Sequence, residues 1–585
     1  MKRASLIGVL GVFCYLVLVP ASGSVASAAG THAQGTASYT GTTGRAVRLH
    51  QSGSVAALPA VLSAFRGRGP QMFTPFRSPA GSSPAAGNTA APTASANAAV
   101  SGTVSAAGSA SGSGHSGVSI VQRFNGLSDL DSDNLNGFAV TPPDQGLCIG
   151  RDHTLADSPK AVWEPINLAA RETSVNGTLL QPDVNLATLF QDPYAEGDVR
   201  CLYDPGTQSF YFTEIGFPVA TGPASDFNNT TADVVVMNKR GVAAYQFDTS
   251  LGGPSAGDCF GDQPKSGFSD NALIISTDEY CGPTETNYEG AIVLAISKSQ
   301  LVHEAATVSD SVLGPVSLSG IPVTGLDPAI GTGSNTGYLV NSFPFDAAGN
   351  NNAVADTVGT WSLRHTASVT TGHGTPVLTG TAIPSQPYAF PVPAASTGDG
   401  SVSSAGITSE AFLNPDDSRM SAPVAVTGSG GRVRLWTALD AAVTFRGGSS
   451  TGDAAAWFQI DPVGKRVASQ GYVVAKGANL LYPAIQPQQR GPAALVFTIT
   501  SGTIDPSAAF TTLGSRKITT VAAGAGAHLS FSDFFFDEAR WGDYSFAQLD
   551  PSGRGVWLAT EYIPPPAFQD PDDNWGTYVL EVSGH

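Results

Sequence analysis

From Val118 onward the sequence is built of short apolar stretches, four to eight residues long, and none keeps a helical period. SFYFTEI, AIVLAIS, VRLWTAL, ALVFTIT and VWLATEY either alternate with period two or stay apolar throughout, and Asp-Pro, Asn-Gly, Gly-Gly and Ser-Gly turns separate them. Such runs are too short for packed helices and fit strands buried on one or both faces. The fold class is therefore all-β. The runs also recur in groups every about 40–60 residues, the spacing of propeller blades. GLCIG, HTLADS and AVWEPIN form one group, and VRCLYD, SFYFTEI and VAAYQFD the next. NALIIST leads to AIVLAIS, and DPAIG leads through GYLVNSF to GTWSLR. APVAVTG, VRLWTAL and AAWFQID follow, then YPAIQ, ALVFTIT and AAFTTL, and last YSFAQLD, VWLATEY and GTYVLEV. A closed ring covers the open edges of so many sheets, so the sequence predicts a β-propeller. The count is seven blades, with six or eight within the counting error; two packed β-sandwiches are the other architecture considered.

The first 117 residues are of a different kind. Lys2 and Arg3, the apolar run Leu6–Val19 and the small residues Ala26-Ser27-Ala28 predict a secretory signal peptide over residues 1–28. Residues 29–77 form a basic N-terminal segment expected to be mostly disordered. Residues 78–117 are almost wholly Ala, Gly, Ser, Thr, Pro and Asn and are expected to be a flexible linker. The propeller then spans 118–585. Nothing after the signal peptide is long and apolar enough to span a bilayer. The expectation is a secreted, extracellular and monomeric protein, with cell-wall association a further option.

With Cys14 inside the signal peptide, four cysteines remain in an exported chain, which predicts disulfides. Cys148–Cys201 and Cys259–Cys281 are the favoured pairs because each joins strand-like segments close in the chain. The absence of a CxxC spacing disfavours a metal at these thiols. The first 128 residues hold eight Lys and Arg and no acid, which leaves 21 bases against 47 acids from Asp129 on. So acidic a body excludes nucleic acid and anionic lipid as partners and suits cations or basic groups.

Ahead of the first strand of each group stand PPDQG, EGDVR, FSDNA, GLDPA, SAPV, LYPAI and WGDYS. Five carry an aspartate: Asp144, Asp198, Asp270, Asp327 and Asp543. In a propeller the leading ends of the inner strands surround one channel mouth. These five are expected there beside Arg200, Tyr482 and Tyr544, as turn-fixing side chains or as a binding site for a cation or a polyhydroxylated ligand. The segment RWGDYSFAQLDPSGRGVWLATEY adds Arg540, Asp543, Tyr544 and Glu561 as the catalytic set if the protein is an enzyme. In DLDSDNLNG, Asp129, Asp131 and Asp133 have the alternate spacing of a calcium turn, although Asn134 and Val140 rule out an EF-hand, and an Asx-rich lead-in loop is the favoured reading beside it. Calcium is the one cofactor this suggests. GPSAG (253–257) matches a nucleophile elbow by letters only.

FNGLSDLDSDN, VTPPDQGLCIG, VRCLYDPGTQSFYF and RWGDYSFAQLDPSGRGVWLATEY with NWGTYVLEV resemble a group of secreted bacterial β-propeller proteins, largely uncharacterised, with a PPD-x-x-G-x-x-G opening and an R-W-G-D-Y-S closing blade. The resemblance runs from about Phe124 to the C-terminal end and implies an extracellular propeller with a layout similar to sialidases. A sialidase would need a cluster of arginines, a Tyr/Glu pair and an acid. Arg200, Arg434, Arg540, Tyr544, Glu561 and Asp198 are the available residues, but the Arg-Ile-Pro lead-in and the S-x-D-x-G-x-x-W boxes are absent. Three functions follow. The main reading is non-catalytic binding of an extracellular glycan or protein at an acidic, aromatic-rich mouth. The alternatives are a glycoside hydrolase using mouth carboxylates and a structural surface module.

Overall fold

The computed structural model describes residues 35–48, 99–105, 118–137, 140–151, 160–194, 197–217, 230–249, 259–281, 287–331, 334–344, 354–404, 406–428, 430–444, 451–530, 540–570 and 573–584. The segment expected to be a signal peptide and the GPSAG motif lie outside these residues. Strand is the dominant element of the described residues, and its pairings fall into successive four-strand antiparallel meanders. The first comprises Cys148–Arg151, Lys160–Ile166, Ala169–Ser174 and Val184–Asn185, and the second Gly197–Asp204, Ser209–Gly216, Thr231–Asn238 and Gly241–Asp248. The third comprises Cys259–Phe268, Ala272–Cys281, Asn287–Ser297 and Thr307–Leu318, and the fourth Asp327–Pro328, Thr336–Asn341, Val354–Arg364 and Val377–Ala389. The fifth is Val424–Thr427, Val433–Thr444, Thr451–Asp461 and Arg466–Ala475, and the sixth Asn479–Gln486, Ala494–Ser501, Ile504–Thr512 and Lys517–Ala522. The seventh takes Phe546–Leu549, Val556–Tyr562 and Gly576–Gly584 from the C-terminal end and its outermost strand, Val118–Ser128, from the other end of the body. That antiparallel pairing ties the two ends of the body into one sheet.

Period two explains how the sheets stack. Trp163 faces the seam between the first and second meanders, while its neighbour Val162 faces the seam with the seventh. Val234 and Val236 pack toward the third meander, Val235 and Met237 toward the first. Ile292, Leu294 and Ile296 face the second meander, and Ala291, Val293 and Ala295 the fourth. Because both faces are buried, VVVM and AIVLAI read as continuous apolar runs. Each meander shares such a cluster with the next, and Leu147, Ile149 and Val162 meet Phe546, Trp557 and Val579 to close the ring. The architecture is a β-propeller. Cys148–Cys201 links the first strands of the first and second meanders, and Cys259–Cys281 joins cross-strand partners within the third.

The stretch expected to lack structure contributes strands where it is described. Thr36–Thr40 extends the fourth meander along Val377–Thr381, and Thr42–Val47 extends the third along Thr307–Val312. Ala99–Ser105 runs parallel to both Arg466–Ala475 and Lys517–Ala522. Edge strands offer free backbone N–H and C=O groups, and pairing with them needs no apolar side chains. Composition therefore could not reveal it.

A second departure concerns the third meander. NALIIST is its second strand; the first is CFGDQPKSGF (Cys259–Phe268), whose register shifts between Asp262 and Lys265 around Pro264. Its polar, bulged sequence hides the strand. Asp270 consequently lies in the turn between these two strands, exposed, and its N–H donates to Ser334 O at 3.0 Å. It is not at the leading end of an inner strand, and the mouth position it was expected to fill is taken by Asp262 and Gln263.

Candidate functional site

Each meander holds a left-handed residue in or shortly ahead of its first strand, among them Asp144 (φ 47), Asp198 (53), Gln263 (49), Gly325 (59), Asp416 (56), Tyr482 (51) and Gly542 (60). Five of these are not glycine, and each non-glycine position costs about 1–3 kcal/mol. At three of the seven positions the backbone N–H is caught by an acceptor at the end of the second strand of the preceding meander. Asp198 N–H donates to Asn167 Oδ1 at 2.9 Å, Gly325 N–H to Asp278 at 3.0 Å, and Tyr482 N–H to Asp440 at 2.9 Å. Asn167 also donates to Asp144 Oδ2 at 2.7 Å, so a single amide sets two mouth aspartates. Buried Asp278 and Asp440 therefore act as struts between sheets.

These turns bring Asp144, Asp198 and Asp543 together. One carboxylate oxygen from each lies within 4.8 Å of the other two. Arg540 Nη2 holds Asp543 Oδ2 at 3.2 Å. Burial lifts the Asp543 carboxyl to about 7, against the pull of Arg540 and with the push of Asp416 and Asp198. Burial, then Asp543 and Asp198, push Asp144 well above the usual carboxylate range. Asp144 Oδ1 is buried with no hydrogen-bond partner. Glu561, also raised by burial and then by Asp573 and Asp543, accepts the Gly542 N–H behind Asp543. A recess opens beside Asp543 and Tyr544. Arg200 stacks on the Tyr544 ring, its guanidinium carbon 3.5 Å from the centroid. Tyr482 lines the same recess, its hydroxyl donating to Asn414 O at 2.9 Å.

Of the residues expected at the mouth, Asp144, Asp198, Arg200, Tyr482, Asp543 and Tyr544 are brought together, with Arg540 and Glu561 directly behind. Asp327 is buried on the inner strand of the fourth meander, where burial raises it to about 6 against Arg200 and Lys265. Arg434 turns away to Asp461 at 3.1 Å. The recess also uses residues that the sequence did not single out: Gln263, Lys265, Asp416, Asp417 and Arg419. The last three come from NPDDSRM, a charged run in a Pro-bounded loop that was the available signal.

Asp129, Asp131 and Asp133 do not form a calcium turn. They lie on the helix Asp129–Asn136, where residues two apart point about 200° apart around the axis. Asp131 closes a capping box with Ser128 and pairs with Arg171 at 3.0 Å. Asp129 is buried and accepts the Asp570 N–H at 3.0 Å; burial and then Asp573 lift it to about 9. The motif is a helix start, S-x-x-D. Among the described residues, the carboxylates close enough to share one cation are those of Asp144, Asp198 and Asp543.

No protein-family model and no curated protein matches the chain. Among solved structures, an α-L-arabinanase of Penicillium chrysogenum with arabinobiose aligns over 78% of this chain and 98% of its own, at 9% identity and a TM-score of 0.33. A point mutant of the α-L-arabinofuranosidase Arb93A of Fusarium graminearum, with an iminosugar inhibitor, covers 78% and 97% at 10% identity and 0.32. A subtype N11 neuraminidase-like protein of a flat-faced bat influenza virus covers 53% and 69% at 9% identity and 0.26. At these values no residue and no activity is carried across.

Proposed function

We propose that the mouth hydrolyses glycosidic bonds. The observation that carries this reading is the approach of Asp144, Asp198 and Asp543 to within 4.8 Å, with Asp543 lining the adjacent recess and lifted to about 7. A site that only binds a neutral glycan gains nothing from forcing three carboxyls together, because their mutual repulsion opposes folding. A hydrolase does gain, since one carboxyl must hold a proton near neutral pH while another stays ionised. In this reading Asp543 is the proton donor and Asp198, the more exposed of the remaining two, attacks the anomeric carbon. Asp144 and Asn167 hold Asp198 in place. One oxygen of each carboxyl lies within 4.8 Å of the others, which leaves no room for the water that inverting hydrolases place across about 6.5–9.5 Å. Release of the product with retained configuration is therefore expected.

No helix among the described residues is long and apolar enough to cross a membrane, and the two disulfides suit an oxidising, extracellular setting. The test is a panel of aryl glycosides with the purified chain, with the anomer formed first read by NMR. Turnover that Asp543→Asn lowers by about 10²–10⁴-fold supports the assignment. Retention of glycans without turnover on any panel member would return the mouth to a binding role.

A further inference from the structure

Arg200 is 4% exposed, yet its guanidinium makes no hydrogen bond among the described residues, and its Nε is buried without a partner. It lines the recess, held flat on the Tyr544 ring. A guanidinium carries five donors in a planar fork, and burying it unpaired is unfavourable unless a ligand completes it. Lys265, 3% exposed and lining the same recess, donates to Gln263 Oε1 at 3.0 Å. The third cation of the recess is already engaged: Arg419 binds Asp416, Asp417 and Gln263. Tyr544 Oη, beside Arg200, is likewise buried without a partner. The free donors of the recess therefore gather around Arg200.

We propose that Arg200, assisted by Lys265, is a subsite for a carboxylate and that the glycan taken by this mouth is a uronic-acid-type sugar. The proposal rests on the hydrolase reading for the rest of the sugar but not for the anion contact itself. A carboxylate matches the guanidinium fork with two parallel hydrogen bonds. The many acids nearby do not forbid an anion. Burial pushes Asp144, Asp262 and Asp440 well above the usual carboxylate range, which favours their neutral forms, and Asp416 and Asp417 pair with Arg419. Burial pulls Lys265 below its usual range while Asp278 and Asp327 hold it up, and Asp327 also bears on Arg200. Asp278 is held by Thr324 and the Gly325 N–H. Both oxygens of Asp327 are buried without partners, so it supplies charge to this wall and no hydrogen bond.

The test measures binding of sodium D-glucuronate and sodium D-galacturonate to the full chain by titration calorimetry, each against its uncharged methyl ester. At least one acid should bind about tenfold or more tightly than its ester, the effect of a hydrogen bond to a charged group. Arg200→Met should remove that preference, and Arg200→Lys should keep part of it. Asp327→Asn should strengthen acid binding about threefold, because a competing negative charge is gone. This opposite sign separates a contact at the wall from general damage. Equal binding of acids and esters, no binding of either, or a preference that survives Arg200→Met overturns the proposal. An acid preference without turnover of aryl uronides would sink the hydrolase reading and keep the subsite. Turnover of aryl glycosides together with equal binding of acids and esters would do the reverse.

Discussion

Val234 to Met237 of the second meander and Asp262 to Lys265 of the third are both fully buried stretches of strand, one sheet apart in the ring. The first presents only apolar side chains, alternately to the two neighbouring sheets. The second is bulged, holds Gln263 in a left-handed conformation and buries an acid and a lysine. The seams between sheets obey every preference of a folded chain and supply its stability. The mouth violates several of them at once, which is expected only where chemistry requires it. Stability and function are thus located on different parts of the same sheets, and variants should separate them.

The largest loss of stability should come from a seam. Phe212 is fully buried and meets Trp163 edge-on, with ring centroids 5.3 Å apart, between the first and second meanders. Phe212→Ala should lower unfolding stability by about 3–5 kcal/mol in urea titrations. The mouth's titration should respond in the opposite sense. Asp543 ionises near about 4 in the unfolded chain and near about 7 in the fold. Folding thus retains a proton that the unfolded chain releases, and wild-type stability falls as pH rises from about 4 to about 7, then levels. Asp543→Asn removes this contribution. Relative to wild type the variant should gain stability across that window while losing turnover. Parallel stability–pH curves for the two proteins would show that the mouth is not strained in this way.

The contrast also explains what could be read from the sequence. Strands with two apolar faces, such as those containing VVVM and AIVLAI, announce themselves, and so do the turns between them. The inner strands do not, because a strand that faces a polar channel and carries a bulge loses its period. Hence CFGDQPKSGF reads as a loop and NALIIST as the leading strand, which puts Asp270 at the mouth in place of Asp262 and Gln263. Asp144, Asp198 and Asp543 are legible because each follows a Pro or Gly turn signal, PPD, EGD or WGD. Arg419 is not, since its partners Asp416 and Asp417 lie in a loop ahead of the strand. DLDSDNLNG shows the converse error, because alternating acids suit a metal turn and a helix cap equally well until the backbone chooses. The strands at residues 36–47 are invisible for another reason: their contribution is backbone pairing, to which residue type is nearly blind.

The smallest effect belongs to that outer rim. Tyr39, on the strand that extends the fourth meander, donates its hydroxyl to Ser317 O at 3.0 Å and accepts the Ser317 N–H at 2.8 Å, reaching across to the third. The ring also leans on Trp361, 6.4 Å between centroids. Tyr39→Phe keeps the ring and removes only the hydroxyl, so the cost should be about 1–2 kcal/mol, part of it from a Ser317 N–H left without a partner. Because the outer strand adds to a ring already closed through Val118–Ser128, the loss should be local. Amide exchange should accelerate at Thr36–Val47 and at its partners Thr307–Val312 and Val377–Thr381, while the seam around Phe212 keeps its protection. If Tyr39→Phe instead destabilised the whole protein as much as Phe212→Ala, the rim would be part of the cooperative core. The division between stability at the seams and chemistry at the mouth would then have to include the N-terminal strands.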